Sequence, residues 1–156
     1  MKTVADDRWR HAHLGRLLGL ASQRFDARVL SVMARDDELA LALANLAARG
    51  NLNASHIQIT RHLPLTGCSL TELAIRARIT KQAMGKLVDQ CSAWDLVQRL
   101  PDPHDARAIR VVFTPAGVQW LKAYRQALQQ AELEFGMAVG TDVATVARLG
   151  LEAYVS

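Results

Sequence analysis

The apolar positions between residues 69 and 114 change period twice, and the changes mark the elements. Leu70, Leu73, Ala74 and Ala77 recur at helical spacing behind Ser69, a helix cap that Glu72 completes as a capping box. Ile79 closes a turn, and Thr80 is a good cap for a second helix, TKQAMGKLVDQC. In that helix Ala83, Met84, Leu87, Val88 and Cys91 form one apolar stripe, which leaves Lys81, Gln82, Gly85, Lys86 and Gln90 on the outer face. From Leu96 to Leu100 the chain alternates as a strand does. Pro101-Asp102-Pro103-His104-Asp105 is a turn that neither helix nor strand can cross. Ala108 to Phe113 is rich in β-branched residues and makes the return strand. Thr114 then caps a further helix with Pro115 at its first position.

The flanks read as helix. From about Trp9 to Ala34, Leu14, Leu17, Leu18, Ala21, Phe25 and Val29 mark one face and Arg10, Arg16, Arg24 and Arg28 the other. Asp36-Asp37-Glu38 is an acidic cap for a helix from Leu39 to Ala48, ended by Gly50. Asn53 caps a helix through about His62, with Ile57 and Ile59 as buried candidates and Leu63-Pro64 as its end. A long helix runs from Pro115 to about Val139, with Leu121, Tyr124, Leu128, Ala131 and Phe135 as a seam spaced three and four. Gly140 breaks it, Thr141 caps a last helix, and Val143, Val146, Ala147, Gly150, Leu151 and Tyr154 form a stripe. The expected fold is mainly α with a small antiparallel β-hairpin, one domain over 1–156. Two helices joined by a tight turn, the second cationic outside and followed by a hairpin, are a winged helix-turn-helix over 53–114. Arg99, Arg107 and Arg110 are expected near the hairpin tip, where they suit a minor groove.

Composition narrows the function classes. A chain of 156 residues builds one core, and half of its residues are apolar with no run long enough to span a membrane. The N-terminus, with Asp6 and Asp7 before a mixed helix, lacks a secretory pattern, so a cytoplasmic protein is expected. The net charge is +4: residues 1–35 carry +4, 36–60 carry −2, 61–69 carry +1, 70–114 carry +2 and 115–156 carry −1. The basic charge thus lies on the N-terminal helix and the helix-turn-helix unit, as a nucleic-acid binder requires. No nucleophile motif, phosphate loop or paired acid–base set argues for an enzyme. Cys68 sits ahead of a helix start, where a thiol pKa can fall, and Cys91 lies on the buried stripe; both are expected to be structural. His11 and His13 face different directions on a helix, so no metal and no cofactor are expected.

One stretch resembles a known family. Asp105-Ala-Arg107-Ala-Ile-Arg110-Val111-Val-Phe113-Thr114 is similar to the Asp-x-Arg-x-x-x-Leu-x-Leu-Thr wing signature of MarR-type transcriptional regulators, with Val111 and Phe113 in place of Leu. LTELAIRARITKQAMGKLVDQ resembles that family's two central helices and LVQRLPDPHDAR its first wing strand and tip. Asp95 stands where the family usually has Gly, and Gly85 where it often has Ser. The resemblance implies a homodimer interlocked by helices in 1–50 and 115–156, bound to a pseudo-palindromic operator, commonly as a repressor. By their chemistry Thr80, Lys81, Gln82 and Lys86 are the major-groove candidates, Thr80 suiting a phosphate, and Arg107 is the minor-groove candidate; the resemblance implies that Asp105 pairs an Arg of the hairpin and holds the wing. It also implies release of DNA by a small molecule, often an aromatic acid or phenol, bound between the dimer helices and the DNA unit; His56, Arg61 and His62 lie near that region and read as ordinary surface or capping groups. A winged helix used for protein–protein contact is the alternative; it would keep the fold and lose the outer cations. Lys81, Lys86 and Arg107 favour double-stranded DNA.

Overall fold

The N-terminal helix expected as one piece is two. In the computed structural model, which describes residues 7–39, 41–48 and 54–156, α1 (Trp9–Ala12) and α2 (Leu14–Met33) are separated at His13, whose backbone is extended. His13 Nδ1 accepts from the Arg16 amide at 3.2 Å and so caps α2. The next helices are α3 (Leu41–Ala48) and α4 (Ala54–His62). Gly50, Asn53 and the side chain of His56 lie outside the described residues. A two-residue strand β1 (Cys68–Ser69) leads into α5 (Leu70–Arg76), then α6 (Lys81–Ala93), the hairpin β2 (Val97–Pro101) and β3 (Ile109–Phe113), α7 (Pro115–Val139) and α8 (Thr141–Val155).

The sheet has three strands rather than the two of the expected hairpin. Its order is β1-β3-β2 with both pairs antiparallel; Val111 lies opposite Cys68 on one side and Arg99 on the other. Two residues are too few to show a period, so β1 carries no pattern. Its entry does carry a signal: Gly67 has φ +75°, and a Cβ there would lie 2.6 Å from the Val111 carbonyl oxygen. Only glycine fits both the conformation and the close approach.

One core joins the helices to the sheet. Val29 and Met33 of α2, Ile57 and Ile59 of α4, Leu73 of α5, Met84 and Val88 of α6, Val97 and Val111 of the wing and Trp120 of α7 are all buried in it. On α7 the buried line is Trp120, Ala123, Tyr124, Ala127 and Ala131. Of the expected seam, Tyr124 and Ala131 are buried, Leu121 and Leu128 partly so, and Phe135 is exposed. Alanines four residues apart let α2 lie close along α7, and Arg28 spans them with two 2.6 Å bonds to the Glu134 carboxylate. That guanidinium, helped by Gln130, holds the Glu134 carboxyl down at about 2. Gly140, at φ +97°, ends α7 and itself stands at the N-cap of α8; Thr141 is the first helical residue instead of the cap. None of the described helices is long and apolar enough to cross a membrane.

Gly117 and Gly85 make opposite predictions. A Cβ on Gly117 would run into the Leu96 carbonyl oxygen, whereas one on Gly85 would meet only Leu70 Cδ2 at 3.8 Å, an ordinary contact. Gly117→Ala is expected to cost about 3 kcal/mol of stability by overpacking. Gly85→Ala is expected to add about 0.5–1 kcal/mol by removing a helix-interior glycine. Urea unfolding of the two variants beside the wild type measures both.

Candidate nucleic-acid interface

The recognition helix is positioned by its two ends. At the start, Thr80 is extended and its Oγ1 accepts from the Ala83 amide at 3.1 Å. Ser69 caps α5 in the same way, accepting from the Glu72 amide at 3.1 Å. The reciprocal half of that capping box is replaced: the Glu72 carboxylate takes Arg76 at 2.6 Å, one turn along. The tight turn between the helices places Arg78 at φ +55°. At the far end Asp95 adopts φ +57°, the left-handed conformation that glycine would take without cost.

The buried stripe of α6 is Met84, Val88 and Cys91, with Leu87 partly buried. Ala83, expected in that stripe, is exposed, because its place in the first turn lies beyond the reach of α5. Gly85, expected outside, is partly covered by Leu70. Lys81, Gln82 and Lys86 are exposed, as the pattern requires. Beside them the α6 N-terminus presents backbone N–H groups suited to a phosphate.

The wing sorts the three candidate arginines. Arg107 is exposed at the tip, and no carboxylate meets its guanidinium among the described residues. Arg99 instead turns back onto α6 and donates to Asp89 Oδ1 at 2.6 Å. Arg110 lies within β3, one pair in from the tip. Its Nη2 donates to the Thr66 and Gly67 carbonyl oxygens at 2.7 and 2.8 Å, and Nη1 lies 3.8 Å from Asp102. Arg110 is therefore a clamp between the wing and the entry to β1. Register separates the two: Arg110 lies within β3 opposite Ser69, beside the loop that enters β1, while Arg107 lies in the turn before the strand begins.

Two aspartates shape the tip through backbone amides. Asp102 Oδ1 accepts from the His104 amide at 2.8 Å and Asp105 Oδ1 from the Arg107 amide at 2.9 Å. The Asp102 amide donates to the Ala108 carbonyl and the Ala108 amide to that of Asp105, at 2.8 and 2.9 Å. Asp105 thus holds the wing by an Asx turn under Arg107. The arginine pairing expected of it belongs to Asp102.

Below the wing, Arg61 Nη2 donates to Asp26 Oδ1 at 2.6 Å and Nε to the Tyr124 hydroxyl at 3.3 Å. Asp26 is only 7% exposed, so this pair joins α2, α4 and α7 from inside. Burial disfavours the Arg61 charge, but Tyr124 and Asp26 outweigh it and raise its pKa. Burial and the neighbouring Arg61 charge push the His62 imidazole down. Cys68 is buried on β1, and burial together with Glu72 raises its thiol pKa, the reverse of an activated cysteine. Burial alone pushes the Cys91 thiol up to about 12. Among the described residues no group of three or more His, Cys, Asp or Glu is placed to hold a metal.

Comparison with known proteins agrees with this geometry. Residues 57–108, from α4 to the wing tip, match the model of the MarR family. The chain has the winged-helix fold of MarR-type proteins. CouR, a transcriptional repressor solved on a 23-mer DNA duplex, superposes with a TM-score of 0.68 at 18% identity, covering 95% of this chain and 96% of that one. A cysteine-to-serine mutant of E. coli MarR complexed with operator DNA gives 0.67 at 19% identity, covering 96% and 99%. BpsR of Bordetella bronchiseptica, whose DNA binding is regulated by 6-hydroxynicotinic acid, gives 0.61 at 20% identity, covering 92% and 93%. A comparison with curated proteins finds no match.

Two features of this MarR-type unit predict measurable effects. Asp95→Gly relieves a left-handed aspartate and is expected to stabilise the fold by up to about 1 kcal/mol in thermal or denaturant unfolding. For Cys91 the folded thiol pKa is raised, so below pH 9 the folded and unfolded thiols are alike. As pH climbs from 9 toward about 12 only the unfolded thiol ionises, and stability falls. At pH 8, Cys91 in the native protein is expected to react with iodoacetamide at least about 100-fold more slowly than in urea, as peptide mapping would show.

Proposed function

We propose that this protein is a sequence-specific DNA-binding transcriptional regulator that occludes a pseudo-palindromic operator as a homodimer. The observation that carries the reading is the joint presentation of Lys81, Gln82 and Lys86 on the exposed face of α6 with Arg107 free at the wing tip. Gln82 suits bidentate pairing with adenine, and Lys86 suits guanine or a phosphate. Arg107 suits a narrow A·T minor groove, where the negative potential is strongest. Thr80 keeps its hydroxyl hydrogen for a phosphate, since its oxygen lone pair already serves the helix cap.

Association supplies the second half-site. Trp9, Leu14 and Leu17 on α1 and α2 are exposed, as are Val143, Val146 and Leu149 on α8. Apolar tracts of this kind ordinarily face a partner. A two-fold dimer sets two recognition helices about 34 Å apart, one turn of duplex. In this reading a small aromatic acid or phenol releases the operator by favouring an arrangement of the dimer that does not fit DNA. The BpsR relative supports that mode of control.

Selection from random duplex DNA, followed by affinity against salt, tests the proposal. A two-fold-symmetric motif is expected, with log affinity falling by about 0.9 per neutralised phosphate per decade of salt. Arg107→Ala is expected to weaken operator binding by about 1–2 kcal/mol. No enriched motif from ligand-stripped protein, or a stable monomer in sedimentation at micromolar concentration, would falsify this reading.

A further inference from the structure

Asp89 lies on the same face of α6 as Gln82 and Lys86, seven residues after one and three after the other, so three residue types share the surface offered to DNA. A carboxylate there would oppose phosphates and the acceptor-rich edge of guanine alike. The structure supplies its counter-charge: Arg99 of β2 reaches across from the wing and donates to Asp89 Oδ1 at 2.6 Å. The other two wing arginines behave differently: Arg107 meets no carboxylate among the described residues, and Arg110 donates to backbone carbonyls. Arg99 is thus the one wing arginine whose guanidinium is held by a side chain of the recognition helix.

We propose that Asp89 is a positioning residue that withholds Arg99 from the DNA backbone and so keeps non-specific affinity low. This rests on the operator-binding reading and deepens it. A cation removed from the phosphate contacts lowers affinity for every sequence equally. Contacts from Gln82 and Lys86 to base edges are left untouched, so both affinities fall together and the ratio of specific to non-specific binding is kept. The same pair ties the wing to α6, so the free wing cation Arg107 keeps its place relative to the recognition helix.

The test is a slope measurement on Asp89→Ala and on the double variant Asp89→Ala/Arg99→Gln, with the selected operator and a scrambled duplex. Asp89→Ala is expected to release Arg99 onto a phosphate. Its plot of log affinity against log salt should then steepen by about 0.9 per arginine, on operator and scrambled duplex alike. Between 0.05 and 0.2 M salt, its affinity should fall about 3.5-fold further than wild type for each released arginine, or about 12-fold for a two-fold dimer. The double variant should return to the wild-type slope. An unchanged slope in Asp89→Ala overturns the proposal. So does a double variant that keeps the gain, because loss of the carboxylate alone would then account for it. A double variant with a slope shallower than wild type would show that Arg99 already neutralises a phosphate, and would overturn it too. Unaltered thermal melting of both variants shows that they are folded. Wild-type protein that binds no duplex overturns the operator reading and this one with it; the other outcomes touch this one alone.

Discussion

The wing and the recognition helix are held in one orientation by a junction around Leu96 and Thr114. The Leu96 amide closes the end of α6 on the Cys91 carbonyl, and the Leu96 carbonyl accepts from the Thr114 amide at 3.1 Å. Thr114, buried at 4% exposure, donates its hydroxyl to the Asp95 carbonyl and accepts from the Gly117 amide at 2.9 Å. Gly117 lets α7 approach the Leu96 carbonyl closely enough that no side chain fits between. The exit of one helix, both ends of a hairpin and the start of the next helix therefore share a few atoms. A buried hydroxyl that both donates and accepts leaves no lone backbone group there to drive rearrangement. Asp95 is the residue that bears the conformational cost, because the chain must turn left-handed immediately before Leu96.

From this base the cations of the wing and helix are divided between holding and reaching. Arg110 donates to two carbonyl oxygens of the loop ahead of β1, so the third strand is tied to the wing by a charge-assisted clasp as well as by ladder bonds. Arg76 is taken by Glu72 within α5. Exposed pairs of this kind contribute little to stability, typically under about 1 kcal/mol. Their effect here is on direction: they decide which positive charges face solvent. Lys81, Lys86 and Arg107, with Arg78 in the turn between the helices, are the exposed cations left after that sorting among the described residues of this unit.

Local chemistry was the legible part of the chain. Thr80, Ser69 and Thr114 cap the helices that their position ahead of an apolar stripe implies, and Pro115 begins α7 as its fixed φ favours. The bounds of α7 follow from Pro115 and Gly140 alone. What periodicity does not carry is the partner of each face. Ala83 and Gly85 exchange roles because burial on α6 depends on where α5 crosses it. The α7 seam shifts to Trp120, Ala123 and Ala127 because α2 packs on its small residues. Arg99 and Arg110 look equivalent along the sequence, yet one reaches α6 and the other two carbonyls 43 and 44 residues away. His13 shows the limit of such reading most simply: the helix expected from about Trp9 runs on through it, while its backbone is extended.

The connection between the helical flanks and the DNA unit runs through charge as well as packing. Asp26 of α2 is buried, and Arg61 of α4 reaches it while also meeting Tyr124 of α7. Such a pair adds little net stability against an apolar replacement, yet losing one partner strands a buried charge at a cost of about 3–5 kcal/mol. Three helices are thereby constrained by one guanidinium, two of them from the flanks and one opening the segment that carries the recognition helix. Trp120 Nε1, donating to Thr60 Oγ1 at 3.3 Å, repeats the tie between α7 and α4 one helical turn away. Any change in how α2 and α7 lie must therefore move α4 or break these bonds. Under the proposed reading, that is the physical requirement for an effector: its contacts must outweigh this clamp in one arrangement of the helices and not in the other.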